Sequence, residues 1–149
     1  GVDAEPADLM GEKNLYQNVK MVTAFAEKSG AVVAATGKND IVSDGRKAYW
    51  IQNGHSMMQT VTGVGCQLSA LTAAYVAANP KHTLEAVTAG VSAIGVCGEL
   101  AYERMSDLDG NASYRNYLID AVYRLDGKKL ERLARVEKVN EDGEKSNEM

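Results

Sequence analysis

The sequence predicts an α/β layer structure, and three observations carry that prediction. Apolar residues recur at helical spacing near the N-terminus. A short run of β-branched residues and alanine is followed at once by a hairpin signal. The rest reads as helices with apolar faces. The chain has 149 residues, enough for one domain with a sizeable core, and its 45% hydrophobic and 24% charged residues are a globular composition.

Each element follows from local signals. A first helix is expected from about Pro6 to Lys28, because Pro6 suits a first helical turn and Gly30 the position past the end. Leu15, Val19, Val22, Phe25 and Ala26 would form its apolar face. AVVAATG, ending at Gly37, reads as a buried parallel strand. DIVSDGRKAYWIQ reads as a hairpin, with Asp44-Gly45 as its turn. NGHSMMQTVTGVG is expected to be a loop with a short strand-like interruption. A helix from about Cys66 to Asn79, apolar on nearly all sides, should be buried and end at Pro80. A long helix from about Thr83 to Met105 turns Leu84, Val87, Val91, Ile94 and Leu100 inward. Gly90, Gly95 and Gly98 each weaken that helix by about 1 kcal/mol, which makes sense if another element packs closely there. SYRNYLIDAVYRL is a further helix facing inward through Tyr114, Leu118, Ala121, Val122 and Leu125. About 140–149 is a charged tail expected to be disordered.

Charge and composition narrow the function. The formal net charge of −4 disfavours nucleic acid or an anionic membrane as the main partner. No apolar run reads as uninterrupted enough to cross a bilayer, and GVDAEP lacks the basic-then-apolar order of a signal peptide. Cys66 and Cys97 lie far apart without metal-ligand spacing, so a reducing, cytoplasmic setting is expected. One parallel strand and one hairpin are too little sheet for so much buried helix. Further strands should exist beyond those recognisable here.

The stretch TGVGCQLSALTAAY, residues 62–75, holds the chemistry. ATGKND is not a P-loop, since Val32 and Asn39 replace the glycine and the Ser/Thr that motif needs. GVGCQL is not a dinucleotide fingerprint, since Leu68 replaces the third glycine. What survives is physical. Gly63 and Gly65 let the backbone turn with N–H groups exposed, and the following helix adds its unpaired amides and the positive end of its dipole. Such a start binds anions, phosphate especially, and favours the thiolate of a cysteine placed there. Cys66 therefore reads either as a nucleophile or general base, or as a small apolar residue at a helix start.

TGKND-IVSDG, then NGH, then TGVGC with its apolar helix, then GEL-A resemble the hydroxyethylthiazole kinase family, as does the opening GVDA. The resemblance runs from Gly1 to about Leu125. Cys66 is its distinctive mark, because most ribokinase-like kinases have Asp there. It implies a three-layer ribokinase-like α/β sandwich of which residues 1–149 form about the second half, a single partial kinase domain. It implies transfer of a phosphoryl group from ATP, with Mg2+, to the hydroxyethyl alcohol of 4-methyl-5-(2-hydroxyethyl)thiazole in thiamine salvage. Cys66 then stands beside the substrate hydroxyl. Gly63 contacts substrate, and Gly63, Val64, Gly65 and Cys66 form an anion hole over the transferring group. Thr36 contacts ATP. No residue here is assigned to magnesium, whose acidic ligands fall in the other half. A companion N-terminal segment and a homotrimer with interfacial sites are implied as well. The family often has a basic residue just before GVD, so a chain starting at Gly1 would fit cleavage in an exposed loop. DGNASY, residues 109–114, departs from the family's GPGSF, although Ser113-Tyr114 keeps the small-then-aromatic order.

Other residues carry plainer expectations. Lys38 reads as a solvated turn lysine and Asp44 as hairpin chemistry, with Asp40 near by. His55 is a loop residue with no Ser or Asp placed for a triad. His82 should be exposed, Met57-Met58 should fill a gap in the core, and Cys97 should be core packing. Glu99 and Glu103 read as a solvated helix face. Three rival functions remain: another ribokinase-like small-molecule kinase, a non-catalytic nucleotide-binding half-protein, and a thiol-dependent transferase using Cys66 covalently.

Overall fold

The structure is a computed structural model, and it describes residues 15–37 and 40–140. Pro6, Lys38, the opening GVDA and the charged tail from 141 lie outside the described residues. The chain forms two compact units, Gly1–Ile51 with Val136–Met149, and Gln52–Arg135.

The first unit sets helix α1 (Leu15–Ser29) on an antiparallel sheet of four strands, β1 (Val33–Ala35), β2 (Asp40–Ser43), β3 (Ala48–Ile51) and β4 (Val136–Val139), in that order across the sheet. The core joins Val19 and Val22 of α1 to Ile41, Ala48, Trp50 and Val139 of the sheet. Asn18, Val19, Val22, Thr23 and Ala26 make the buried stripe. Phe25 lies outside it and is 61% exposed, against expectation, because the stripe is centred on Val19, Val22 and Ala26. Gly30, at φ 67°, ends α1 with its N–H on the Ala26 carbonyl (2.9 Å).

The expected parallel strand is antiparallel. Val33 pairs with Ser43 and Ala35 with Ile41. Only residues 36–39 connect β1 to β2, far fewer than the dozen or so a parallel crossover needs. As an edge strand, β1 is half-buried rather than buried. The hairpin expected at Asp44-Gly45 is present, with β2 and β3 paired from Asp40↔Ile51 to Ser43↔Ala48. Asp44 Oδ1 accepts the Arg46 and Lys47 N–H groups at 2.8 and 2.7 Å. The buried Ser43 hydroxyl donates to the Lys47 carbonyl (2.9 Å) and accepts from Gly45 N–H (3.1 Å). Strand β4, pairing Ala48↔Val139 through Ile51↔Val136, was not anticipated.

Asp40 titrates in a way that tests this sheet. Burial raises its carboxyl to about 6, while the Gly37 amide on Oδ1 (2.8 Å) pulls the other way. The folded chain thus keeps a proton that the unfolded chain gives up. Asp40's contribution is most favourable below its ordinary value of 3.8 and is lost as pH rises to about 6. Asp40→Asn should gain stability relative to wild type between about pH 4 and about pH 7; denaturant midpoints at both ends check it.

The second unit is helical: a 3-10 helix (Ser56–Thr60), α2 (Val64–Ala78), α3 (Thr83–Glu103), α4 (Asn111–Arg124) and α5 (Gly127–Leu133). The 3-10 helix stands where a strand-like interruption was expected. The core is Val61, Ile94, Cys97, Ala101, Tyr114, Leu118 and Ala121. Burial pushes the Cys97 thiol up to about 11, which fits its expected packing role. The α3 glycines sit at close approaches. A Cβ on Gly95 would lie 2.8 Å from the Asn53 carbonyl oxygen, one on Gly98 would overlap Met58, and one on Gly90 would lie 3.0 Å from Thr72 Cα. The Tyr114 hydroxyl donates to the Gly98 carbonyl (2.9 Å). Helix α3 is, against expectation, long and apolar enough to cross a membrane, but 78% of its apolar window is buried, as in a core helix.

Helix α2 also departs from expectation. No residue in it is buried. It packs on α3 along one side and is exposed on the other. Helix α5 was not read from the sequence, although Asp126 caps it by accepting from Lys129 N–H (2.8 Å).

Candidate active site

The turn at residues 62–66 begins from a buried anchor, Val61, which follows the 3-10 helix. Gly63 takes φ 96° and ψ 0°, a left-handed conformation that favours glycine, and serves as the N-cap of α2. The first helical bond runs from Gln67 N–H to the Gly63 carbonyl (3.0 Å). The amides of Val64, Gly65 and Cys66 precede that bond and hold no acceptor among the described residues. A Cβ at Gly63 or Gly65 would meet nothing within 4 Å, so the turn faces open space. The Cys66 side chain is exposed. Three backbone donors, a helix dipole and a thiol therefore share one accessible corner, with no charged side chain anywhere in α2.

A second polar group lies in the same unit, in the loop that leads to this turn. Glu99 of α3 accepts from Asn53 Nδ2 (3.1 Å) and Gly54 N–H (2.8 Å) and makes a two-point pair with the Arg135 guanidinium. Asn53, buried, also donates to the Leu133 carbonyl (3.0 Å) and accepts Arg135 N–H (2.7 Å). Burial alone would raise the Glu99 carboxyl; Arg135, Gly54 and Asn53 together hold it below its ordinary value. Glu99 is thus a clasp and not the solvated residue expected, whereas Glu103 is exposed. Asn53 is buried, so its side chain has to find partners, but nothing in NGH marks that burial. Asn53→Ala should lower the stability of the chain by about 3 kcal/mol, measured by urea unfolding, because it removes three bonds and leaves buried partners unsatisfied.

The remaining sequence candidates fall as follows. His55 caps the 3-10 helix, its Nδ1 accepting Met57 N–H (3.2 Å), and its ring stacks on Tyr102 at 3.6 Å. Met57 and Met58 pack against the core, as expected. His82 is exposed, at the N-cap of α3. Ser113 and Tyr114 lie in the first turn of α4, which Asn111 ties to the Thr60 carbonyl (3.2 Å). Thr36 belongs to the other unit, where it is exposed at the end of β1. Among the described residues, no group of three or more His, Cys, Asp or Glu could hold a metal ion. These residues do not by themselves fit a magnesium site.

The sequence pattern of the Hydroxyethylthiazole kinase family matches residues 1–128. The chain belongs to that family. A hydroxyethylthiazole kinase of Clostridium acetobutylicum is 50% identical over 137 residues, which is 92% of this chain and 50% of the relative. One from Ruminiclostridium cellulolyticum is 37% identical over 139 residues, covering 93% of this chain and 49% of its own length. Among solved structures, hydroxyethylthiazole kinase from Pyrococcus horikoshii superposes with a TM-score of 0.77 at 33% identity, over 87% of this chain and 49% of that one. The chain spans about half the length of these family members. The α/β class and the ribokinase-like likeness expected of the sequence agree with them.

Proposed function

We propose that the chain supplies the phosphoryl-transfer corner of a hydroxyethylthiazole kinase. The observation that carries this reading is the open run of amides at Val64, Gly65 and Cys66 beside an exposed thiol. Phosphoryl transfer asks mainly for positioning and for neutralisation of charge on the equatorial oxygens. Backbone donors fixed by the Gly63 bend do this without a moving side chain. The alcohol oxygen of 4-methyl-5-(2-hydroxyethyl)thiazole bonds to the γ-phosphorus of ATP as the bond to ADP breaks. Cys66 stands beside that alcohol, where its sulfur receives or directs the departing hydroxyl proton. Gly63 borders the substrate, and Thr36 contacts ATP.

Magnesium, bound to the ATP phosphates, would supply neutralisation of their charge. Its acidic ligands come from the part of the family fold that these residues do not span, and no step here depends on it. That part is the companion segment, so the active form joins both portions, as a cytoplasmic homotrimer. Residues 1–149 are then one partial kinase domain.

The test is a phosphorylation assay on this chain co-produced with the complementary half of the C. acetobutylicum relative. ATP-dependent formation of thiazole phosphate is the expected result. Faster turnover of a pyrimidine or sugar alcohol would assign the chain to another ribokinase-like kinase. ATP binding with no phosphorylated product would assign it to a non-catalytic nucleotide-binding protein.

A further inference from the structure

The corner at Gly63–Cys66 is reached through residues 53–61, and one face of α3 holds that approach. Gly95, Gly98, Glu99 and Tyr102 fall at i, i+3, i+4 and i+7, so they line one side of the helix. Each meets a residue of the approach. Asn53 lies where a Cβ on Gly95 would stand, and the Gly54 N–H donates to Glu99 (2.8 Å). The His55 ring stacks on Tyr102, with centroids 3.6 Å apart and planes 21° from parallel. Asn53, Gly54 and His55 thus follow α3 across two turns, about 10 Å of its length. There the chain reverses. Met58 comes back to fill the space left by Gly98, and Val61 is buried just before the bend.

The turning point is His55. Its backbone is extended (φ −136°, ψ 143°), its Nδ1 accepts the Met57 N–H (3.2 Å) and its carbonyl accepts the Met58 N–H (3.0 Å). One residue therefore starts the 3-10 helix and, by stacking, fixes its direction on α3. The far end of that helix is tied separately, by Asn111 Nδ2 donating to the Thr60 carbonyl (3.2 Å). The cap alone needs no aromatic ring, since asparagine or serine would accept the same N–H. The ring is what reaches Tyr102. That tyrosine is 48% exposed, so the stack contributes orientation more than core burial.

We propose that His55 and Tyr102 are positioning residues for the glycine bend. Their stack sets the angle at which the 3-10 helix delivers Gly63, and with it the aim of the Val64, Gly65 and Cys66 amides. Misplacing such donors by about 1 Å costs up to about a hundredfold in rate. The setting of the bend stands on the geometry alone, whereas its consequence for turnover rests on the proposed function.

Amide exchange and kinetics test it together. His55→Asn keeps a cap and loses the stack, Tyr102→Leu loses the stack alone, and Tyr102→Phe keeps it. Asp126→Ala, which uncaps α5, is the control for lost stability. Exchange is read by NMR on the full chain at Met58, Val61 and Gln67, whose N–H groups donate to the His55, Met58 and Gly63 carbonyls. His55→Asn and Tyr102→Leu should speed exchange at these amides at least about fivefold and leave Leu118 of α4 unchanged. In the pair reconstituted with the complementary half of the C. acetobutylicum relative, both should lower kcat about tenfold with the KM for ATP within about twofold. Tyr102→Phe should match wild type in both measurements, and Asp126→Ala should lower the unfolding midpoint and move neither. Wild-type exchange in His55→Asn and Tyr102→Leu overturns the proposal. So does a Tyr102→Phe variant as impaired as Tyr102→Leu, and so does faster exchange with kcat unchanged, which would make the stack structural only. Faster exchange in a chain whose wild-type pair phosphorylates no thiazole would sink the kinase reading and leave the setting of the bend standing.

Discussion

Gly45→Ala should lower the stability of the chain by about 3 to 4 kcal/mol, the largest loss expected from any single added methyl group. Two effects combine. Gly45 takes φ 89°, where an L-residue is strained by about 1–2 kcal/mol. A Cβ there would also stand 2.7 Å from both Cα and N of Glu27, in the backbone of α1, which cannot swing aside as a side-chain tip can. The hairpin tip and the helix approach each other only because that atom is missing. Gly45→Asn separates the effects: asparagine tolerates positive φ but still brings a Cβ, so it should recover only the strain. Urea unfolding measures both variants. A loss under about 1 kcal/mol for alanine would show that helix and hairpin part easily at this contact.

Cys66→Ala should reduce turnover of the reconstituted kinase about a hundredfold while leaving the KM for ATP and the unfolding midpoint nearly unchanged. The side chain is exposed, so its removal opens no cavity. The backbone amides of Val64, Gly65 and Cys66 stay in place, so nucleotide binding should survive. Cys66→Ser separates two roles. A hydroxyl can direct the substrate alcohol's hydrogen bond but is a poor acceptor of its proton. Near-full activity in the serine variant would assign sulfur an orienting role, and loss equal to that of alanine would assign it proton acceptance. Alanine activity within about threefold of wild type would remove Cys66 from the reaction.

The features legible in the sequence were those written in local patterns. Asp44-Gly45 declares its turn, the stripe from Tyr114 to Ala121 declares the face of α4, and the glycines of α3 announced close contacts that Asn53, Met58 and Thr72 make. The bend at Gly63 was legible because glycine spacing at a helix start has a direct geometric consequence. The direction of β1 was misread because a run of valine and alanine carries no sign of its partner; the short link to β2 did carry it. The exposure of α2 was unreadable because a helix apolar on all sides carries no sign of which side is left open. The Glu99 clasp joins residues up to 82 positions apart, and no local pattern marks such a pairing. Helix α5 and β4 hide in a charged stretch, where only the Asp126 cap betrayed a helix start.

The family pattern and the sheet end at different residues. The family pattern matches to residue 128, yet Arg135 grips the Gln52 carbonyl and Asn53, and β4 lines the outer side of β3. A polypeptide trimmed to its recognisable stretch would leave β3 as a bare border, ready to recruit a strand from another molecule. The sheet's guard against intermolecular strand pairing therefore lies beyond the stretch that the family pattern matches.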